Sequence, residues 1–450
     1  MKKMKKLSLC MAVMLILAML LPACTPAQDT QTPAQVTDAP APAQSNETQA
    51  PAEPEEVVSQ GITDTEILIG CTFPTSGPYA FIGVPVMDTI KGMYDRINAR
   101  GGINGRMIKI VYYDDGYDPA TGQTLVQKLV EEDKVFALSC MGGNIVANTL
   151  PYLRDYGIPV VNITSGLASI YRDSDPGGAV FPVQPSSSTD GAMLIARVLH
   201  ESLFGPNKDQ KLPADAKIAV VHTTDEASLN TLDTLLLQAE KEGAKDRLLV
   251  ETVTAATYAA SIEKLKSQGA SIVIFLALDS KGFIAAMDDA GWEVPWFGAY
   301  GTSTVQSFSP DTYKPGRPCY STMWADYSTD AAKAMLADLD DALTYNKDLT
   351  QETRDSYKEN NYARAGYAAA STMAQALARM DENDMDMNWE NFIKAMEMAP
   401  LDFGGVAFSY ANGVRQGIQV LSLAEYYVEN GEGKQRMTRG FESIEEVMAK

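Results

Sequence analysis

The sequence predicts an α/β fold with two doubly wound parallel sheets, each covered by helices. From residue 62 onward, short runs rich in Val and Ile alternate with longer stretches of helical periodicity, a pattern typical of right-handed βαβ units. This alternation occurs in two successive series, which indicates two sheets along one chain. The chain has 450 residues, 45% of them hydrophobic, and can therefore bury two medium-sized cores.

The first series predicts four strands and three helices. Apolar residues recur with the α-helical period in the longer stretches, as with Met87, Ile90, Tyr94 and Ile97 on one helix face. We place the strands at residues 66–70, 107–114, 135–140 and 159–163, and the helices at 86–99, 119–132 and 145–156.

The second series predicts strands at 217–222, 247–254, 271–278 and 295–300, with helices at 228–242, 258–268 and 281–290. After residue 323 the pattern is mainly helical, at 329–345, 358–380 and 389–398. A final β-like stretch at 404–428 has no helix of its own. Four strands are few for a doubly wound sheet, so we expect these later elements to complete the first sheet and then the second.

The N-terminal region predicts export and lipid anchoring. Four lysines precede an apolar run at residues 7–21, which is too short to span a bilayer and ends in Leu21-Pro22-Ala23-Cys24. We predict a signal peptide at 1–23 and lipidation of Cys24, on the outer face of a bacterial cell membrane. An ordinary cleavage site beside a chance cysteine is the alternative, because Pro22 is imperfect for this signal. Residues 24–60, rich in Pro and without a basic or aromatic residue, predict a disordered linker.

Charge and metal-binding residue types exclude several function classes. The net charge of -21 argues against a nucleic-acid partner. The folded region has Cys71, Cys140 and Cys319 without C-x-x-C spacing, and the only histidines are His200 and His222, so we expect no metal and no cofactor. A bridge between Cys71 and Cys140 and two buried thiols are both compatible with the sequence.

Candidate ligand-binding loops follow the strands of the first series. Ligands of open α/β sheets bind at the carboxyl ends of the strands, where helix N-termini offer free N–H groups to anions. Each loop alone could be an ordinary connector, but three on one sheet edge predict a site for a carboxylate or similar anion. The candidates are Tyr79 and Phe81 after the first strand, Gly142 and Gly143 after the third, and Thr164, Ser165 and Gly166 after the fourth.

The strand ends of the second series carry acids and an aromatic hydroxyl. Asp279 directly follows an apolar strand and is our first candidate to accept an ammonium group, with an N-cap role as the alternative. Residues 223–228 and Tyr300 end two further strands. Catalysis is disfavoured, because the sequence has no G-x-S-x-G elbow, no Walker A loop and no G-x-G-x-x-G. We therefore expect a binding protein and no enzyme.

Three segments carry a family resemblance. They are P-T-S-G-P-Y-A-F-I-G at 74–83, I-N-A-R-G-G-I-N-G-R at 97–106 and V-Y-Y-D-D-G-Y-D-P at 111–119. Together they resemble the opening of the leucine/isoleucine/valine-binding protein family, the extracytoplasmic solute receptors of ABC importers. The resemblance implies the type I periplasmic-binding fold, in which two lobes are joined by a three-strand hinge. It implies a first lobe of residues 61–184 plus 323–398 and a second of 185–322 plus 399–450.

The resemblance also implies roles for particular residues. Gly142, Gly143, Thr164, Ser165 and Gly166 match positions that hold a ligand carboxylate in relatives, although Gly143 offers only its N–H where many relatives add a hydroxyl. The second lobe departs more from the family. Ala227 or Ser228 stands where amino-acid binders have an aromatic residue, Tyr300 stands where they have an acid for the ammonium, and Asp279 matches another contact position. A disulfide that some relatives form from the position of Cys140 is absent, because Tyr117 is its partner position.

We therefore expect a monomeric, lipid-anchored solute-binding protein that captures a small organic solute by hinge closure and delivers it to ABC permease subunits. An amino acid, as in the branched-chain family, is the first candidate. The alternatives are a receptor for aromatic carboxylates, amides or urea-like solutes, and a sensory binding protein.

Overall fold

The first sheet consists of five parallel strands in the spatial order β2-β1-β3-β4-β5. The computed structural model describes residues 58–450 except 140, 164, 278, 301–309, 315 and 359. The elements of this sheet are β1 (Glu66–Phe73), α1 (Ala80–Ala99), β2 (Met107–Asp114), α2 (Pro119–Glu131), β3 (Ala137–Ser139), α3 (Gly143–Tyr156), β4 (Val160–Asn162) and β5 (Val180–Pro182).

The chain then enters the second sheet, whose elements repeat the alternation of strand and helix. They are α4 (Ser187–His200), β6 (Lys217–His222), α5 (Glu226–Lys241), β7 (Leu248–Thr252), α6 (Tyr258–Ser267), β8 (Ala270–Phe275), α7 (Ser280–Asp289), β9 (Trp296–Gly298) and β10 (Cys319–Met323).

Helices dominate the last third before two long strands close the chain. The elements are α8 (Asp330–Leu343), α9 (Gln351–Tyr357), α10 (Asn361–Glu382), α11 (Trp389–Glu397), β11 (Leu401–Phe403), β12 (Val406–Phe408), β13 (Leu421–Glu429), β14 (Glu432–Glu442) and α12 (Ile444–Met448). The second sheet has the order β14-β13-β10-β9-β8-β6-β7, in which β13 and β14 are antiparallel and β10 is parallel to β9.

Polar side chains cap the N-termini of several helices that follow strands. Asp118 accepts a hydrogen bond from Thr121 N–H and is followed by Pro119, whose missing N–H costs nothing in the first turn. Ser186 caps α4 and Asp225 caps α5 in the same way. These caps fix where each strand-to-helix loop ends, and so where its side chains lie.

Each sheet is covered by a hydrophobic core on both faces. On the first sheet, Ile69 and Val161 pack with α1 and α10, whereas Leu138 and Val160 pack with α2 and α3. On the second sheet, separate cores lie on the two faces in the same way. We call the first sheet with its packed helices the first lobe, and the second sheet with its helices the second lobe.

Three chain segments cross between the lobes side by side. They are residues 183–186, 324–329 and 409–420. Ile418 N–H donates to Val183 O over 3.1 Å, which joins the third crossing to the first. Ser422, which follows the third crossing at the start of β13, donates through Oγ to Met323 O at the end of β10 over 3.1 Å and to Ala325 O of the second crossing over 2.9 Å.

The structure differs from the prediction for the elements that follow residue 323. We predicted that they would complete the first sheet, but in the described residues α8, α10 and α11 pack on its core and add no strand. Its fifth strand is β5, whose three residues gave no sequence signal. Leu401, Phe408 and Ile418 also belong to the first-lobe core, so the third crossing lies later than the predicted boundary at 398/399.

Candidate functional site

Amide and hydroxyl groups meet at the carboxyl edge of the first sheet. Helix α3 begins at Gly143 with Gly142 as its N-cap, and the first N–H groups of a helix have no partner within it. Ser165 is 3% exposed and follows β4. A Cβ atom on Gly143 would lie 3.2 Å from Ser165 Oγ, so the hydroxyl and the helix N-terminus are adjacent. This arrangement suits a carboxylate, because both the dipole and the donors favour negative charge.

Aromatic rings stand beside this anion-binding edge. The rings of Tyr79 and Tyr117 are 4.6 Å apart between centroids. A Cβ atom on Gly142 would lie 2.8 Å from Cε2 of Tyr117, so only glycine leaves room for that ring. Phe81, which is 59% exposed, packs edge-on against Tyr362 over 5.8 Å.

Two helices of the second lobe begin with acidic caps, Asp225 and Asp279. We call the region where Gly166 of the first lobe meets Tyr300 of the second lobe the cleft. Burial raises the pKa of the Tyr117 phenol, and the charges of Tyr79, Asp115 and Asp225 raise it further. Asp279 is exposed and caps α7, accepting from Gly282 N–H over 2.9 Å. Tyr258 Oη donates to its other oxygen over 3.4 Å, and burial together with Asp279 raises the pKa of Tyr258 to about 12.

Tyr300 connects the two lobes at the base of the cleft. Its hydroxyl donates to Pro185 O over 2.9 Å, and the side-chain amide of Gln184 lies 3.0 Å from that hydroxyl. A Cβ atom on Gly166 would lie 2.5 Å from Tyr300 Oη. Tyr300 is therefore held by the first crossing against Gly166, and its hydroxyl is already occupied.

A buried carboxyl group lies directly behind Tyr300. Asp190 is 1% exposed, and it accepts from Tyr300 N–H over 2.9 Å and from Thr322 Oγ1 over 2.5 Å. Burial without a cationic partner raises the pKa of Asp190 to about 7, and its two hydrogen bonds lower it only in part. Asp190 thus links the start of α4, the end of β10 and the cleft.

Among the described helices, none combines the length and apolar character that a membrane span requires. Within the same residues, His, Cys, Asp and Glu side chains form no group of three or more that could hold a metal ion.

A family model described as periplasmic binding protein matches residues 66–431. The chain belongs to the periplasmic binding protein family. Among relatives of this periplasmic binding protein, an "Amino acid binding protein" of Pseudomonas aeruginosa is 26% identical over 212 residues, covering 47% of this chain and 53% of the relative. "Leu/Ile/Val-binding protein homolog 1" of Brucella abortus is 23% identical over 325 residues, covering 71% of this chain and 80% of the relative. These matches confirm the resemblance found at residues 74–119.

Solved structures share the fold at low sequence identity. A fatty acid ABC transporter substrate-binding protein from Thermomonospora curvata has a TM-score of 0.64 at 18% identity, covering 87% of this chain and 96% of that one. A solute-binding protein of an R. palustris ABC transporter, in complex with 4-hydroxybenzoate, has a TM-score of 0.67 at 17% identity, covering 84% and 97%. The predicted fold class is thereby confirmed for this periplasmic binding protein.

The structure brings together part of the predicted ligand-binding set. Gly143 adjoins Ser165, Gly166 adjoins Tyr300, and Tyr79 reaches Gly142 through the ring of Tyr117. Thr164 and Cys24 lie outside the described residues, as does Cys140, while Cys71 is buried. The ligand-binding role of each residue stays a prediction.

The second-lobe candidates are placed less favourably. Ser228 is 2% exposed, and its hydroxyl accepts from Thr223 N–H over 3.0 Å, so it serves the start of α5. Ala227 is exposed beside it. Asp279 caps its helix, which was the alternative to an ammonium partner. No described contact joins these three residues to the first lobe.

Sequence reasoning missed four residues at the cleft: Tyr117, Gln184, Asp190 and Tyr362. Tyr117 lies in the specific segment at 111–119, so a signal for it existed. Tyr362 sits at the start of a helix far along the chain, and only the return of α10 to the first lobe brings it to the cleft.

Proposed function

We propose that this protein is the solute-binding component of an ABC importer and captures a small organic carboxylate by closure of its two lobes. The observation that carries the proposal is the meeting of the α3 N-terminus, Ser165 and Gly166 with Tyr300 of the other lobe. A ligand that touches both lobes binds the closed state better than the open one, and therefore shifts the population toward closure. No covalent step is needed for this role.

An amino acid is the first candidate ligand. Its carboxylate fits the amide and hydroxyl groups at Gly143 and Ser165, and the acidic caps Asp225 and Asp279 could accept its ammonium from the second lobe. The names of two relatives, the amino acid binding protein of Pseudomonas aeruginosa and the Leu/Ile/Val-binding protein homolog of Brucella abortus, support this choice. The partners would be ABC permease subunits on the extracytoplasmic side of the membrane.

Lipid anchoring through Cys24 belongs to the same proposal. It is supported by the sequence at 21–24 and by membership of a periplasmic family. We expect a Cys24→Ser variant to lose membrane partitioning in cell fractionation, because no acyl chain would hold it. Unchanged partitioning would disprove the anchor and leave the binding role intact.

The carboxylate site is tested by Ser165→Ala. Losing one hydrogen bond to a charged group costs about 1.5–3 kcal/mol, so we expect at least tenfold weaker binding of carboxylates by calorimetry. Ser169→Ala is the matched control, since Ser169 is exposed on the same loop. Equal affinities of the two variants would place the carboxylate elsewhere.

A further inference from the structure

Four aromatic side chains lie beside the first turn of α1 and the N-terminus of α3. We define the aromatic cluster as Tyr79, Phe81, Tyr117 and Tyr362. Tyr79 packs on Tyr117, and Phe81 packs on Tyr362. The two pairs adjoin each other along the chain, because Tyr79 is the N-cap of α1 and Phe81 lies in the first turn of the same helix.

The cluster is only partly covered. Phe81 is 59% exposed and Tyr79 is 40% exposed, although large aromatic side chains are among the most costly to leave in water. The hydroxyls of Tyr79, Tyr117 and Tyr362 form no hydrogen bond with any described residue. Ring faces and donor groups are thus both available to a molecule in the cleft.

Tyr117 is held in place at a conformational cost. Its φ of 65° is in the left-handed region, where a bulky residue is uncommon. Its N–H donates to Asp115 Oδ1 over 2.8 Å, and its ring covers Gly142. The surrounding structure therefore fixes this ring directly beside the helix N-terminus that faces the anion.

We propose that the ligand carries a flat aromatic ring next to its carboxylate, and that the aromatic cluster recognises the ring. This inference rests on the proposed function, because it assigns the apolar part of the same ligand. Rings stack or meet edge to face more favourably than their buried area alone provides. The cluster is continuous with the carboxylate site through Tyr117 and Gly142, so one small molecule can reach both.

An aliphatic ligand would gain less binding free energy from the aromatic cluster. Branched alkyl groups fill volume against rings but lack the complementary charge distribution of an aromatic face and edge. The inference covers both aromatic amino acids and simple aromatic acids, since the two share a ring and a carboxylate. They differ in the ammonium group, which the second lobe would recognise.

The test compares flat and puckered rings of similar size in calorimetric titrations of the purified full chain. The pairs are benzoate with cyclohexanecarboxylate and phenylalanine with cyclohexylalanine. We expect the aromatic member of at least one pair to bind about fivefold more tightly, within the range that aromatic contacts provide. Tyr79→Leu and Phe81→Leu should reduce that ratio to about one, and their exposed positions make unfolding avoidable.

Tyr152→Leu is the matched control, because Tyr152 belongs to a ring pair with Tyr156 elsewhere on the first lobe. It should leave the ratio unchanged. Suppose instead that flat and puckered rings bind with equal affinity while Ser165→Ala still weakens both. That result would disprove recognition of an aromatic ring and leave the proposed carboxylate binding intact. If none of the four acids bound, both the proposed carboxylate binding and the recognition of an aromatic ring would be disproved.

Discussion

The two faces of the cleft are built from different kinds of residue. The first lobe offers a helix N-terminus, the buried Ser165 and packed rings, all fixed by neighbours in its own core. The second lobe offers Asp225 and Asp279, which are exposed and already cap helices. From this difference we propose that the first lobe is preorganised for the ligand and supplies most of the affinity, whereas the second lobe completes the site on closing.

The largest expected effect concerns Asp190, which lies behind Tyr300 within the second lobe. Asp190 has a pKa of about 7 in the folded protein, well above that of an unfolded Asp. The native state therefore binds more protons between about pH 4 and pH 7, and the free energy of unfolding falls as the pH rises through that window. Asp190→Asn should remove this loss and stabilise the protein at pH 8 by up to about 4 kcal/mol.

Urea unfolding at pH 5 and pH 8 measures the effect. Asp233→Asn, at an exposed acid on α5, is the control for a general change of charge. If Asp190→Asn and the control showed the same difference between the two pH values, Asp190 would be ionised in the native state and the second lobe would contain a buried charge.

A smaller effect distinguishes the two acidic caps. Asp279→Ala should weaken the binding of an amino acid about tenfold, or by about 1.4 kcal/mol, but leave the binding of its des-amino analogue nearly unchanged. Asp225→Ala is the matched variant, because it loses the same kind of N-cap, worth about 1 kcal/mol of stability. Calorimetry with both ligands separates the two roles.

If Asp279→Ala lowered the affinity for the amino acid and for its des-amino analogue equally, Asp279 would not be the partner of the ammonium group. An amine-specific loss in Asp225→Ala would instead move the ammonium toward α5 and Tyr117. Either result would sharpen the contrast between a preorganised first lobe and a second lobe that completes the site.

Elements with strong hydrophobic periodicity could be predicted from the sequence. Elements whose formation depends on tertiary contacts were missed. The strands at 107–114 and 217–222 were predicted at their observed bounds, because Val, Ile and Tyr make up five of eight residues in the first and Val and Ile three of six in the second. Helix α4 was missed, since Ser187, Ser188 and Thr189 favour caps and turns over a helix. The short strands β5 and β10 also gave too few residues to show a period.

The site was predictable in its loops and unpredictable in its partners. Gly142, Gly143 and Ser165 follow strands, so the sheet topology alone brings them to one edge. The occupied hydroxyl of Tyr300 and the burial of Asp190 depend on the path of the first crossing, which no local pattern encodes. Tyr362 needed the return of α10, a contact between distant parts of the chain.

The adjacency of the three crossings limits how the lobes can move. One linker would permit twisting, but the hydrogen bonds from Ile418 to Val183 and from Ser422, just after the third crossing, to Ala325 tie the three segments into a narrow ribbon. A ribbon bends about the axis across its width and resists torsion. Each closing stroke should therefore return the same atoms to the same opposing positions, so that recognition is reproducible from one captured molecule to the next.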